Sequence, residues 1–375
     1  MPQCVLHPVF DFGSTGEEDQ DFSSLLLLGA ALSSTTVLKY GYVANQGDAS
    51  IGMYSVDDST GVWTALSPAT IASGGGNTGY LVIHPTSPFL YATNQSGDNI
   101  SMFRIGSDGQ LSQLSPFNVA TSGTGPIAIA IHPSGLFGYV GFNVTAQIEI
   151  YNIDPSTGQW TFFNSIAGCS AARELEFHPN GNFLYALCSG GSEIRIHSIA
   201  SGDLTYIGSA GTGSQPNGLT LTGDLQYLYA TSQGSNQVRM FSVNSTSGGL
   251  TVLSPANIGT DTRPAEIVVD AQSRYAYVNC WQSAALTVRM YDIAADGQLS
   301  DKSPNSVPTG GDGPINMDID PTGRYVYVSN SVPNNINMYS IGSTGILTSN
   351  GLLPTGSGPR GIAIYAESLI SGDSP

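Results

Sequence analysis

The chain has 375 residues, 40% of them apolar and only 10% charged, with a formal net charge of −17. That apolar share supports a large core and excludes disorder as the dominant state. Lysine occurs only at Lys39 and Lys302, which excludes nucleic-acid and anionic-membrane surfaces and weighs against a phosphorylated substrate, since all three need clustered cations.

Residues 1–36 stand apart from the rest and are expected to form an N-terminal extension. Their apolar stretch Leu25–Leu32, "LLLLGAAL", follows Glu17, Glu18, Asp19 and Asp21. A secretory signal carries positive charge there, so the stretch reads as a short strand or packing segment. No apolar run reaches the roughly 20 residues of a membrane helix. Low lysine with abundant Ser, Thr, Asn and Gly points to an extracytoplasmic protein (periplasmic, cell-surface or secreted).

From residue 37 onward one pattern recurs. A short apolar stretch such as "IAIAIHP" leads into a Pro/Gly/Asn turn. A "YVYVSN"-like stretch follows, as at 41, 90, 184, 228, 276 and 325. An alternating stretch such as "ISMFRI" or "IEIYNI" comes next, then a "DGQL"- or "TGIL"-like turn and a weaker outer strand. One column of the repeat holds His84, His132, His178, Thr222, Asp270, Asp320 and Tyr365. Its spacing is roughly 44–50 residues, the length of a four-stranded propeller blade. Each part has strand periodicity, and no stretch of helical period intervenes. The first "YV" stretch, Tyr40–Asn45, has no apolar strand before it, and an orphan strand, "GPRGIAIY", closes the repeat at Gly358–Tyr365. The chain is therefore expected to be all-β: a seven-bladed β-propeller over 37–367 whose C-terminal strand completes the N-terminal blade, with a tail at 368–375.

These residues resemble the YVTN-repeat and lactonase-like seven-bladed propellers, a group that includes bacterial 6-phosphogluconolactonase and the fungal carboxymuconate-lactonizing enzyme. The likeness covers about 40–365. The family's enzymes share a blade reading roughly "GPRHxxFHPxGxxxYxxNE", matched here by "AARELEFHPNGNFLYALCS". The resemblance implies an active-site role for Arg173. Glu174 replaces the following His, Ser189 stands where the family has Glu, and the preceding blade, "GTGPIAIAIHP", lacks the expected His. Acid–base chemistry needs a titratable group within hydrogen-bond reach, and Ser189 cannot replace a carboxylate.

The His column is spread one per blade around a ring, so it is expected to serve the turns, and His197 is expected to pack or face the surface. Four and five places before that column, Tyr80, Arg173, Glu174, Asn217, Glu266, Asn316 and Arg360 enter the channel from one end, with Glu176 and Asp318 deeper. Two readings stay open: the arginines neutralise these carboxylates, or they form a ligand site. The strands ending at the same mouth supply Gln46, Gln95, Gln233 and Trp281, an amide-rich set suited to an uncharged polar ligand. Cys169 and Cys188 should lie near that mouth as a disulfide candidate. No cofactor or metal is implied, because the acidic turns lack the dense Asp spacing of a calcium loop.

The function expected from these features is a non-catalytic scaffold binding a protein or glycan partner at the channel mouth. One alternative is a lactone hydrolase or lactonizing cycloisomerase using Arg173 with Glu174 or Glu266 as acid or base. Another is a structural subunit of a surface layer or filament.

Overall fold

The computed structural model describes residues 37–281 and 286–368. The extension at 1–36, with "LLLLGAAL" and Cys4, and the tail from 369 lie outside the described residues. The rest forms seven four-stranded antiparallel sheets. The first blade comprises β28 (Pro359–Ser368), β1 (Val37–Asn45), β2 (Ser50–Val56) and β3 (Trp63–Ala72). The second runs through β4 (Thr78–Ile83), β5 (Phe89–Asn94), β6 (Asn99–Ile105) and β7 (Leu111–Ala120). The third holds β8 (Pro126–Ile131), β9 (Phe137–Phe142), β10 (Gln147–Ile153) and β11 (Trp160–Ala167). The fourth holds β12 (Ala172–Phe177), β13 (Phe183–Cys188), β14 (Glu193–Ala200) and β15 (Asp203–Gly211). The fifth holds β16 (Pro216–Leu221), β17 (Tyr227–Ser232), β18 (Gln237–Val243) and β19 (Leu250–Gly259). The sixth holds β20 (Pro264–Val269), β21 (Tyr275–Cys280), β22 (Thr287–Ile293) and β23 (Leu299–Pro308). The seventh holds β24 (Pro314–Ile319), β25 (Tyr325–Asn330), β26 (Asn335–Ile341) and β27 (Leu347–Pro354). As expected, the C-terminal strand β28 is the innermost strand of the N-terminal blade, which removes an open sheet edge.

The "YVxN" strands have blade neighbours on both sides and adjacent blades on both faces, so they read as continuous apolar runs. All six residues of β5, β13 and β25 are buried. The outer strands mix exposed and half-buried positions, as in β7.

The recurring tyrosine of each "YV" strand fastens one blade to the next. Its hydroxyl donates to a glycine carbonyl in the neighbouring outer turn. The pairs are Tyr42–Gly109, Tyr91–Gly158, Tyr139–Gly202, Tyr185–Gly248, Tyr229–Gly297, Tyr277–Gly345 and, across the closure, Tyr327–Gly61, at 2.6–3.1 Å. Each of these glycines has φ between 69° and 83°. A side chain there would be strained, and a Cβ would strike the ring that opens the preceding blade's "YV" strand, for example Tyr40 at 2.1 Å from Gly109.

The closure carries its own ion pair. Buried Lys39 of β1 lies 2.7 Å from both Asp320 of the seventh blade and Asp58. Charge pairing holds the Asp320 carboxyl below the ordinary carboxylate range although burial alone would raise it.

Two histidines of the column tie turns together, while His178 Nε2 is buried without a hydrogen bond. His84 Nε2 lies 2.8 Å from Gly135 O and His132 Nε2 lies 2.8 Å from Gly181 O, each tying a turn to the next blade. His197 is buried against Tyr206, and burial lowers its pKa to about 4, so it stays neutral near pH 7.

Candidate functional site

Six inner strands share one irregularity near their start. Pairing with the second strand shifts register by a bulge at Thr78/Leu81, Pro126/Ala128, Ala172/Glu174, Pro216/Leu219, Pro264/Ile267 and Pro314/Asn316. A bulge re-aims side chains and frees a backbone N–H. In four blades a polar side chain one place before the end of the second strand accepts that N–H. Tyr80 N donates to Thr93 Oγ1, Gly218 N to Thr231 Oγ1, Glu266 N to Asn279 Oδ1 and Asn316 N to Ser329 Oγ, at 2.6–3.3 Å. The repeat alone does not reveal these four acceptors, because the slip in register has no signature in residue spacing.

Two spaces lie among these strands, with Tyr80 in the wall of both. A recess of about 240 Å³ at the channel mouth is lined by Tyr80, Arg173, Asn217, Gln233, Ala265, Trp281, Ile315 and Arg360. A chamber of about 440 Å³ also has Tyr80 in its wall, together with Glu174, Glu176, Glu266, Asn316 and Asp318. The sequence-derived candidates therefore divide. Arg173, Arg360, Tyr80, Asn217, Gln233 and Trp281 meet in the recess, while Glu174, Glu266 and Asn316 line the chamber. Gln46 and Gln95 are not among the lining residues. The Gln95 amide oxygen is occupied by Asn77 Nδ2 at 2.8 Å.

The electrostatics of the two spaces are opposed. The chain has 11 Lys and Arg residues. Six of them form ion pairs: Lys39, Arg195, Arg274, Arg289, Lys302 and Arg324. Arg104 and Arg239 hydrogen-bond Ser156 and Asn257, and Arg263 stacks 4.4 Å from the Trp281 ring centroid. Among the described residues, Arg173 and Arg360 have no such side-chain partner, and Arg360 Nε is buried without a hydrogen bond. The arginines thus do not neutralise the channel carboxylates by direct ion pairs.

The chamber carboxyls are withdrawn from bulk water, Glu266 buried and Glu174, Glu176 and Asp318 half-buried, and Glu174 and Glu266 also face like charge. Burial, then Glu266 and Glu176, raises the Glu174 pKa well above its ordinary value. Burial pushes Glu266 up to about 8 against the opposing hydrogen bond from Ile267 N–H at 3.1 Å, and Asp318 and Glu176 add to the rise. Glu176 and Asp318 each rise to about 7, again chiefly through burial. Gly218 makes room for this arrangement, since a Cβ there would lie 2.6 Å from Glu266 Oε1. Buried Glu149 in the third blade lies outside both spaces and accepts hydrogen bonds from Ser122, Gly123, Gln147 and Tyr151. Among the described residues no group of three or more His, Cys, Asp or Glu could hold a metal ion.

The disulfide candidate forms. Cys169 and Cys188 are joined, with Cα atoms 5.1 Å apart, tying the entrance of β12 to the end of β13 beside Arg173. Cys280 is a buried free thiol.

Comparison with known proteins adds three results. The family described as "Lactonase, 7-bladed beta-propeller" matches residues 38–171, 164–259 and 252–360. A 6-phosphogluconolactonase of Serratia proteamaculans is 23% identical over 76% of this chain and 88% of its own length, and one of Pectobacterium atrosepticum is 27% identical over 47% and 56%. Among solved structures, the periplasmic gluconolactonase of Pseudomonas aeruginosa superposes with a TM-score of 0.75 at 16% identity, covering 88% of this chain and 99% of that one. A Lactobacillus plantarum protein superposes with a TM-score of 0.76 at 18% identity, covering 88% and 100%. At such identities the superpositions establish the fold alone.

The relatives' names correct the expectation of a non-catalytic binding scaffold and favour the lactonase alternative. That expectation rested on the missing His and on Ser189 in place of Glu. It gave too little weight to Glu174 and Glu266, which occupy the channel from other positions of the repeat. The matching family model spans nearly the whole propeller, and the chain belongs to the seven-bladed β-propeller lactonase family.

Proposed function

We propose that the protein is a lactone hydrolase with its site at the channel mouth. The observation that carries this reading is the pair of guanidiniums that form no ion pair or side-chain hydrogen bond among the described residues, Arg173 and Arg360, in a recess that shares Tyr80 with the chamber holding two carboxyls of raised pKa, Glu174 and Glu266. A half-buried guanidinium without an opposite charge is poised to gain one from a ligand. Lactone hydrolysis supplies it, because negative charge builds on the carbonyl oxygen as water adds.

The chemistry assigns each group a role. Ionised Glu266 takes a proton from the attacking water as the water oxygen bonds to the carbonyl carbon. Arg173 holds the oxygen that becomes negative. The tetrahedral adduct then collapses with cleavage of the bond to the ring oxygen, and protonated Glu174 gives its proton to that oxygen. Two neighbouring carboxyls with raised pKa values favour one charged and one neutral member, as this division of labour requires. The indole of Trp281 offers a flat wall for a ring, and Asn217 and Gln233 offer donors and acceptors for hydroxyls. The Cys169–Cys188 disulfide and the periplasmic neighbour support an oxidising, extracytoplasmic setting.

A panel of five- and six-membered lactones, assayed by pH-stat with wild type and Arg173→Ala, tests the reading. Turnover that falls about 100-fold or more in the variant is expected, the scale of losing one oxyanion donor. Turnover that is absent, or indifferent to Arg173, overturns it.

A further inference from the structure

We propose that Tyr80 is a further catalytic residue, a proton relay: its hydroxyl protonates the departing ring oxygen of a lactone held in the recess and is itself reprotonated by Glu174 from the chamber. This inference rests on the lactonase reading above and adds the group that carries the proton from one space to the other.

The recess and the proposed acid do not share a wall. Arg173, Asn217, Gln233 and Trp281 line the recess, while Glu174 and Glu266 line the chamber. Tyr80 lines both, and among the described residues no other does. Its ring therefore stands where a proton passing between chamber and recess must cross. The hydroxyl is coupled electrostatically to the four charged groups assigned to the site: Glu174 foremost, then Arg360, Glu266 and Arg173.

The fold fixes the Tyr80 backbone and leaves its hydroxyl within reach of a ligand. Tyr80 N donates to Thr93 Oγ1 at 3.1 Å beside the bulge of β4. In the flanking blades the same column of the repeat holds Gly361 and Ala128. A Cβ at Gly361 would lie 3.0 Å from Tyr80 Cα, so β28 closes against β4 there because position 361 has no side chain. The tyrosines of the "YV" strands commit their hydroxyls to glycine carbonyls. The half-buried Tyr80 makes no such hydroxyl hydrogen bond among the described residues. Burial, with Glu174 and Glu266, raises its pKa above the ordinary tyrosine value, and the two arginines pull the other way. The phenol thus stays protonated near neutral pH and acts as a donor.

The protons balance. As the bond between the carbonyl carbon and the ring oxygen breaks, its electron pair stays on the ring oxygen. That oxygen takes the phenol proton, and the phenol oxygen takes the carboxyl proton of Glu174. Glu174 ends ionised and Glu266 ends protonated by the attacking water, so one proton passed between these neighbouring carboxyls restores the starting state.

Dependence on the leaving group tests the relay. An aliphatic lactone expels an alkoxide, which needs a proton, whereas dihydrocoumarin expels a phenolate, which leaves with little help. Tyr80→Phe is expected to lose about 100-fold in kcat on the best aliphatic lactone of the panel, with KM changed by less than about threefold, and to lose less than about fivefold in kcat on dihydrocoumarin. Its melting temperature should match wild type. Glu174→Gln should show the same leaving-group pattern, and the double variant should be no slower than the slower single one, since two members of one relay fail together. Equal losses on both substrates overturn the proposal, because a hydroxyl that only binds or positions the carbonyl serves every lactone alike. So does a Tyr80→Phe variant as fast as wild type on the aliphatic lactone, or a double variant whose losses multiply. If dihydrocoumarin is not a substrate, the double variant decides. If wild type turns over no lactone, the lactonase reading itself fails and the relay falls with it; an active wild type with an unaffected Tyr80→Phe removes the relay alone.

Discussion

Two columns of the same repeat behave in opposite ways. In the second strands, the tyrosine that bonds the next blade's glycine is present in all seven blades. In the inner strands, the position four before the His column changes from blade to blade: Tyr80, Ala128, Glu174, Gly218, Glu266, Asn316 and Gly361. The first column solves a problem that every blade shares, which is how to hold its neighbour. The second faces a common space, where seven identical side chains would give a symmetric pore, and seven acids would repel one another. Asymmetry there is what lets one side of the channel mouth differ chemically from the other.

The sharpest break of this contrast is Arg173→Ala. It should cost about 100-fold in lactone kcat/KM while leaving the melting temperature within a degree or two of wild type, because the side chain holds nothing together; calorimetry alongside kinetics checks both halves. Next comes Glu266→Gln. Ionisation of Glu266 should make wild-type kcat/KM climb as pH rises through about 8, and the variant should lose that limb, with a fall of at least about 10-fold at pH 8.5. A pH–rate profile that keeps its rise in the variant assigns the base elsewhere.

On the uniform column the effects move to stability. Tyr185→Phe and Tyr327→Phe should each cost about 1–2 kcal/mol, since each strands a buried glycine carbonyl, and activity should be unchanged. Denaturant unfolding of the two variants should agree closely, and a much larger loss at Tyr327 would mean that the closure bears more load than the other joints. The smallest expected effect is a gain. Burial raises Glu176 to about 7 in the folded chain, so the native state binds more protons than the unfolded one between roughly pH 4.5 and 7. Its contribution is fully present below that window and is lost as pH rises through it. Glu176→Gln should therefore raise the melting temperature by on the order of 2 °C at pH 8 and by much less at pH 4.

The fold was legible because a propeller repeats its physics: strand period, turn residues and the "YV" run recur, and counting the strands locates the closure. The disulfide was legible because the repeat places Cys169 and Cys188 at one end of adjacent strands. The gathering of Arg173, Arg360, Tyr80, Asn217, Gln233 and Trp281 followed from repeat position too. What repeat position could not settle is where a side chain turns once it arrives. Gln95 sits at the same mouth as Gln233 but is engaged by Asn77. Asn279 belongs to the "YVNC" run, yet its amide oxygen accepts the Glu266 N–H. The inner strands slip at bulges, and a one-residue slip in pairing leaves no trace in periodicity. Nothing in the repeat pairs Lys39 with Asp320, and only the closed ring brings them together.

The closing strand also dictates an order of events during synthesis. Strand β1 is made among the first residues of the propeller, but its inner partner β28 is made last. Until about residue 368 has left the ribosome, β1 presents a bare ladder of amides and carbonyls to any strand nearby, including those of a second nascent copy. Arg360 arrives on that same final segment, so the recess lacks one of its walls until the ring is shut. A molecule truncated before Pro359 would be both sticky and without a complete binding recess, and the cell would have no half-built version to use.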